Sequence, residues 1–517
     1  MAMSATMALT ACGGAASAPT EGAATEGPSI ADADRTAHLR VAYQLPVPGL
    51  NPHKLVSPSA AFTYVSPLYD RLTQIVIKGD SYELAPMVAT EWEFAPDGLS
   101  ATFTLRDGVT FSDGAVLDAA AVKEILDHAT NAPGSTAALA FSMIDSVEVI
   151  DPTHVKINTN RPAADLPYAL SASEGALISP NALDNPDLDV NPVGSGPYVA
   201  TDVQLGSSIT YERREGYWDE TAQMAQTITI TSIPDDNARL NALRSGQVDM
   251  LTASLNQWNE VQKLGTGFGS FEYAPVAPYS LYLNVDKPNL KDPRVRQALN
   301  YAIDRNGIGT SLTGGLCQPS DQPMPPGKAG YLESPPAAYD YNPDEARRLL
   351  AEAGASDMSL ELTVGAVISP QRQMAAAIQS QLEEVGVTVN LVAGDYTDLA
   401  GRYASGASDS WLTTRLPSAD PAQTLSNNYT SRSQFPGTVP PEFSPALAPA
   451  FDPNASADER TTALQAASSL VNEDALDLFI CVAPPIYAVT DKVIGIDNMG
   501  ISGYIGVMDL RYVGLSQ

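Results

Sequence analysis

Cations, histidine and cysteine are scarce in this chain, and each scarcity removes a class of function. Lys and Arg number 29 against 60 Asp and Glu, a formal net charge of −31 over 517 residues. Such a field repels phosphate backbones and anionic lipid, so nucleic acid is not an expected partner. The plain role of the acidity is a solvated surface that resists association, and a monomer is expected. Histidine occurs only at His38, His53, His128 and His154. No second His or Cys stands at ligand spacing, so no metal centre is expected and His53 reads as a loop residue. G-x-S-x-G, HExxH and paired Cys/His clusters are all missing, which argues against an enzyme and implies no cofactor. Of the three cysteines, Cys317 and Cys481 read either as one disulfide or as two buried thiols. No apolar run is long enough to span a bilayer.

What is present is the material of a large α/β protein. Hydrophobic residues make up 44% of the chain, which is ordinary for a packed core, and the length predicts about three domains. The first 37 residues stand apart. Leu9-Thr10-Ala11-Cys12, followed by Gly13-Gly14, resembles a bacterial lipobox, in which the cysteine sulfur carries diacylglycerol. The short stretch before Cys12 holds no Lys or Arg, so a charged leader is incomplete and the true start is expected upstream. Residues 13–36 contain no aromatic and a single Ile, too little to offset chain ordering, and read as a flexible tether.

Strand and helix signals then alternate. Leu39 to Tyr43 is a short alternating strand. In 94–114, FAPDGLSATFTLRDGVTFSDG, Phe103 and Leu105 alternate with polar residues, Asp107-Gly108 interrupts, and Val109 and Phe111 resume, which predicts a hairpin turning at Asp107-Gly108. Asp118 caps a helix with Val122, Ile125, Leu126 and Ala129 on one face. Strands flank Asp151-Pro152. Thr227 to Ile233 is a strand, Asp236 to Ser245 a helix ended by Gly246, and Tyr279 to Asn284 a further strand. Asp292-Pro293 and Asn342-Pro343 each pair an N-cap with a proline at the first helical position. Residues 415–449 show no period and read as a long loop of the kind that lines binding sites.

Several of these segments together resemble family 5 of the extracellular solute-binding proteins, the oligopeptide-, dipeptide- and nickel-binding components of ABC importers. The resemblance rests on the 94–114 run, on Tyr69-Asp70-Arg71-Leu72, on Pro192 to Tyr198 (PVGSGPY), on Glu215-Gly216-Tyr217-Trp218 and on LKDPRVRQALNYAIDR at 290–305. It extends over about residues 39–517. It implies an α/β fold of two lobes with an added α+β subdomain: 38–66, 191–284 and 488–517 as the first lobe, 67–190 as the subdomain and 285–487 as the second lobe. Residues near Tyr282 are then expected at the hinge. It also implies capture of a solute for a membrane permease and its ATPase subunits, by a protein held at the outer membrane face through lipid on Cys12. Candidate cleft residues are Tyr43, Tyr282, Trp411, Arg415, Asp420 and Tyr487: aromatics offer stacking area, and Arg415 can grip a carboxylate with two bonds. Where peptide binders of the family place a carboxylate for the ligand amine, this chain has Pro417. Oligopeptide or dipeptide is the first expectation. An oligosaccharide, opine-like compound or metal chelate is the alternative, and a surface scaffold or chaperone is a third reading.

Overall fold

The computed structural model describes residues 30–517 except 56, 79–80, 276, 367–369, 416, 419, 433 and 500–507. Cys12 and most of the expected tether lie outside the described residues. The tether ends sooner than residue 36. The Asp34 N–H donates to the Leu515 carbonyl at 2.8 Å, Ala33 bridges to Ser516, and Arg35 donates to the Ala222 and Glu220 carbonyls. Backbone and guanidinium hydrogen bonds fix this stretch without the apolar residues that it lacks.

Two large sheets carry the fold. The first has seven strands, in the order Phe268–Glu272, Ile486–Thr490, Met250–Ala253, His38–Tyr43, Thr227–Ser232, Ser208–Arg213 and Tyr198–Gln204. His38–Tyr43 runs parallel to both its neighbours, as expected of a strand, helix, strand sequence, and the connecting helix Asp236–Arg244 starts on an Asp235 cap. The second sheet has six strands, in the order Gln318–Pro319, Asp477–Val482, Pro278–Leu283, Ser410–Thr414, Ser359–Gly365 and Thr388–Gly394. Helix Pro293–Tyr301, capped by Asp292, and helix Pro343–Glu352, capped by Asn342, accompany it. The chain passes from the first sheet to the second through 273–277 and returns through 483–485.

That crossing corrects the expectation for Tyr282. Pro278–Leu283 is flanked on both sides within the second sheet, so Tyr282 lies inside a sheet and not at the connection. The reason is periodicity: every residue of Pro278–Leu283 is buried, and alternation cannot mark where such a strand begins.

A third sheet of four antiparallel strands, Ala89–Phe94, Ser100–Leu105, His154–Thr159 and Ile144–Asp151, packs its apolar face on helix Ala119–Asn131, whose Val122, Ile125, Leu126 and Ala129 are all buried. The hairpin of this region is real but its turn is not at Asp107-Gly108. Ser100–Leu105 pairs with Ala89–Phe94 through the 95–99 turn, where Gly98 has φ +71°, and with His154–Thr159 on its other edge. With both edges occupied, no edge remains for Val109 and Phe111, which are buried outside any paired strand. One continuous core joins the first sheet to this third sheet, and a separate core fills the second.

The family-like landmarks meet in a buried charge network that ties these parts together. Asp70 accepts from Tyr217 Oη at 2.8 Å, Trp218 Nε1 at 2.9 Å and Arg511 Nη1 at 2.9 Å. Arg511 also pairs with Asp509, which receives Arg71 at 3.0 Å. Gly194 and Gly196 of PVGSGPY press on the backbone and ring of Leu68-Tyr69, where a β-carbon would collide. The glycines are there for close backbone approach.

Candidate functional site

The two cores face one another across the larger of two adjoining cavities. The larger, of about 140 Å³, has one wall from the first core: Ser59 in helix Pro58–Val65, Ile75 of strand Thr73–Lys78, and the 165–174 segment. Its other wall is Pro417, Ser418 and Asp420, with Gln423 and Asn427 of helix Pro421–Thr430. The smaller, of about 40 Å³, lies against Ala277 and Pro278 at the crossing and is closed by Pro323, Met324, Lys328 and Arg415. Pro417 and Ser418 line both cavities.

The 415–449 segment is thus less irregular than its composition suggests. Asp420 caps helix Pro421–Thr430 by accepting the Gln423 N–H at 2.9 Å, and Pro421 occupies the first helical position. The helix displays Gln423 and Asn427, one turn apart, to the larger cavity.

Three carboxylates line that cavity. Asp165 is held by both terminal nitrogens of Arg161, at 3.0 and 2.8 Å. Asp420, 2% exposed, has Arg460 at 3.6 Å, and burial, with Asp165 nearby, pushes its carboxyl up to about 6. Glu174 sits in the turn Ser173–Gly175, which is anchored by Ser173 Oγ donating to the Pro58 carbonyl at 2.8 Å and by close packing of Gly175 on the Leu170 backbone. Glu174 is half-buried, burial pushes its carboxyl up, and among the described residues it has no basic partner. At the smaller cavity the Lys328 ammonium stands 3.5 Å above the Tyr82 ring centroid. Burial pulls it down to about 8, and no carboxylate pairs with it among the described residues.

Of the six candidate cleft residues, Asp420 lines the larger cavity and Arg415 the smaller. Arg415 is already engaged. Its Nε and Nη2 donate to Asp477 at 2.7 and 2.5 Å, its Nη1 to the Asn428 and Gln434 carbonyls, and its guanidinium lies 3.5 Å over the Tyr282 ring. The fork expected to grip a ligand carboxylate holds an internal one. Tyr43, Tyr282, Trp411 and Tyr487 line neither cavity. Tyr43 packs edge-on against Tyr64 and Tyr487 against Tyr273 in the first core, while Tyr282 and Trp411 pack on one another and on Tyr403. A strand residue's type does not reveal which face of the sheet is covered. Glu174 and Lys328 escaped the sequence reading. A signal existed for the second, since Lys328 is an isolated cation in the Pro- and Gly-rich run 323–330 of a chain poor in cations.

Cys317 and Cys481 form a disulfide, with Cα atoms 5.4 Å apart, beside the edge strand Gln318–Pro319 of the second sheet. Among the described residues no group of three or more His, Cys, Asp or Glu is placed to hold a metal ion, and no helix is long and apolar enough to cross a membrane.

Comparison with known proteins decides what this cleft belongs to. The model for the middle part of the bacterial extracellular solute-binding proteins, family 5, matches residues 83–437. The chain belongs to this family. It is similar to the glutathione-binding protein GsiB of Salmonella typhimurium, 29% identical over 356 residues, 66% of this chain and 69% of the relative. GsiB of Pectobacterium atrosepticum is 26% identical over 489 residues, covering 89% and 92%. A dipeptide-binding protein of Pseudoalteromonas sp. SM9913, solved with Met-Leu, superposes with a TM-score of 0.80 at 21% identity over 93% of this chain and all of that one. NikZ of Campylobacter jejuni, solved with Ni(L-His), gives 0.80 at 22% over 93% and 99%. The fold is therefore that of the two-lobed periplasmic binding proteins. This family 5 protein is the solute-binding component of an ABC importer, working outside the cytoplasm with a membrane permease and its ATPase subunits.

Proposed function

We propose that the solute is a short peptide, held in the cleft between the 165–174 wall and the 417–427 wall. The observation that carries this reading is that the larger cavity is lined from both cores at once, with carboxylates on each side. A ligand favours the closed arrangement only through contacts with both walls, and a peptide offers amides to Ser418, Gln423 and Asn427 and a cation to the carboxylates. The relatives named for glutathione, itself a small peptide, and for a dipeptide support the same class. In this reading the lobes divide as 38–66, 191–272 and 486–517 against 278–482, with 67–190 as the subdomain. Lipid on Cys12 anchors a monomer at the membrane face, and the chain itself carries out no catalysis.

The test is mass spectrometry of whatever co-purifies with the protein and is released on denaturation. Short peptides are expected. A sugar, an opine-like compound or a metal chelate replaces the peptide reading with another solute class. No released solute, together with no rise in melting temperature across all of these classes, overturns capture and favours a scaffold.

A further inference from the structure

We infer that Glu174 and Lys328 set the charge polarity of the cleft, so that the solute is a zwitterion with its ammonium at Glu174 and its carboxylate at Lys328. This rests on the reading above that the two cavities hold the solute.

The argument begins with the pairing of charges. Around the cavities, Asp165 is satisfied by Arg161, Asp420 by the end of its own helix and by Arg460, and Arg415 by Asp477. Two charged groups are left over among the described residues that line the cavities. Glu174, on the wall from the first core, has no cation, and Lys328, on the wall from the second, has no anion. A charge drawn partly out of water without a counter-ion is unfavourable, and a ligand of opposite charge removes that penalty on arrival. Because Glu174 and Lys328 carry opposite signs, one ligand with two opposite charges satisfies both.

The two positions also belong to one groove. Pro417 and Ser418 line both cavities, so a chain-like solute running past them reaches from one charge to the other. The Lys328 ammonium, which lines the smaller cavity, stands over the Tyr82 ring and has no anion among the described residues, suits an acceptor-rich group such as carboxylate.

The experiment is calorimetric titration of the full chain, freed of co-purified solute by unfolding and refolding with the disulfide intact. The probes are di-, tri- and tetra-alanine, each as the free peptide, the N-acetyl peptide and the C-terminal amide. At least one free peptide is expected to bind, and each blocked form to bind at least ~30-fold more weakly. Glu174→Gln is expected to abolish the penalty for N-acetylation while keeping that for amidation, and Lys328→Gln to do the reverse. This crossed pattern separates loss of one contact from general damage, which the melting temperatures of the ligand-free variants check. Equal binding of free and blocked peptides, a variant that weakens all forms alike, or tight binding of a sugar or metal chelate with no peptide bound overturns the polarity while leaving solute capture standing. Binding of no solute of any class overturns both.

Discussion

Arg415 is the position at which the sequence and the structure assign different roles, and replacing it with methionine separates them. As a ligand clamp, it would leave folding intact and take affinity with it when removed. As the structure has it, Arg415 is 1% exposed and directs four hydrogen bonds inward, two to Asp477 and two to the Asn428 and Gln434 carbonyls, with its guanidinium over the Tyr282 ring. Among the described residues, Arg415→Met leaves the Asp477 carboxylate, also 1% exposed, with only Tyr429 Oη at 2.8 Å and the Leu283 N–H at 3.4 Å. Breaking a buried ion pair by removing one partner costs roughly 3–5 kcal/mol, because the remaining charge is stranded. With a denaturant slope of about 3 kcal/mol/M, the urea midpoint should fall by roughly 1 M. The assay is urea unfolding followed by fluorescence and circular dichroism, with Arg348→Met as the comparison. Arg348 makes ion pairs at 2.5 Å to Glu345 and Glu352, but Arg348 and Glu352 are exposed and Glu345 only half-buried, so little change in midpoint is expected there. An Arg415→Met protein with an unchanged midpoint and lost peptide affinity refutes this reasoning and restores the clamp.

Peptide affinity should fall on acidification from pH 7 to pH 5. Burial holds Asp420 at about 6 and pushes Glu174 up, with Asp165, Arg161 and Arg460 around them. A raised carboxylate is charged above its pKa and neutral below it, so protonation of Glu174 removes the partner of the ligand ammonium and calorimetry should read weaker peptide binding at pH 5 than at pH 7. The stability of the fold has an acid limb of its own. His53 is buried against His128, their Nδ1 atoms 2.8 Å apart, and burial, with the His128 charge, lowers it to about 3. Its folded value lies below the unfolded one, so it costs nothing above about pH 6.5 and destabilises as pH falls toward 3, by about 2 kcal/mol at pH 5; His53→Gln should flatten that limb in pH-dependent urea midpoints. Reducing the Cys317–Cys481 disulfide, which closes a separation of 164 residues, should cost up to about 5 kcal/mol, read as a lower urea midpoint with reductant.

The fold was legible where a local rule is also the global one. Asp292-Pro293 and Asn342-Pro343 begin helices because a side-chain acceptor and a fixed φ serve the first turn whatever surrounds it. Asp151-Pro152 turns between two strands for a similarly local reason. Legibility failed where partners decide. Val109 and Phe111 have the alternation of a strand, yet the strand they would join already has a neighbour on each edge. Residues 33–36 look like linker by composition, yet Asp34 bonds to Leu515, hundreds of positions away. Hydrogen bonds to remote backbone leave no trace in the composition of the segment that makes them.

The site was less legible for a related reason. An aromatic or a charged side chain can serve the core as well as a ligand, and only its partners distinguish the two. Arg415 has the planar fork that suits a bound carboxylate, but a carboxylate of the chain itself, Asp477, fills it, and the Tyr282 ring below completes the cage. Glu174 and Lys328 are ordinary in type and stand out only because nothing neutralises them among the described residues that line the cavities. A solute-binding cleft must keep some groups unmatched until the solute arrives, so they are found by following which charges the fold has already paired. By that measure Pro417, where a ligand-holding carboxylate was expected, does not leave the cleft without one. Glu174 faces the same larger cavity from the opposite wall, and an ammonium between them touches both lobes, which is the condition for its binding to favour closure.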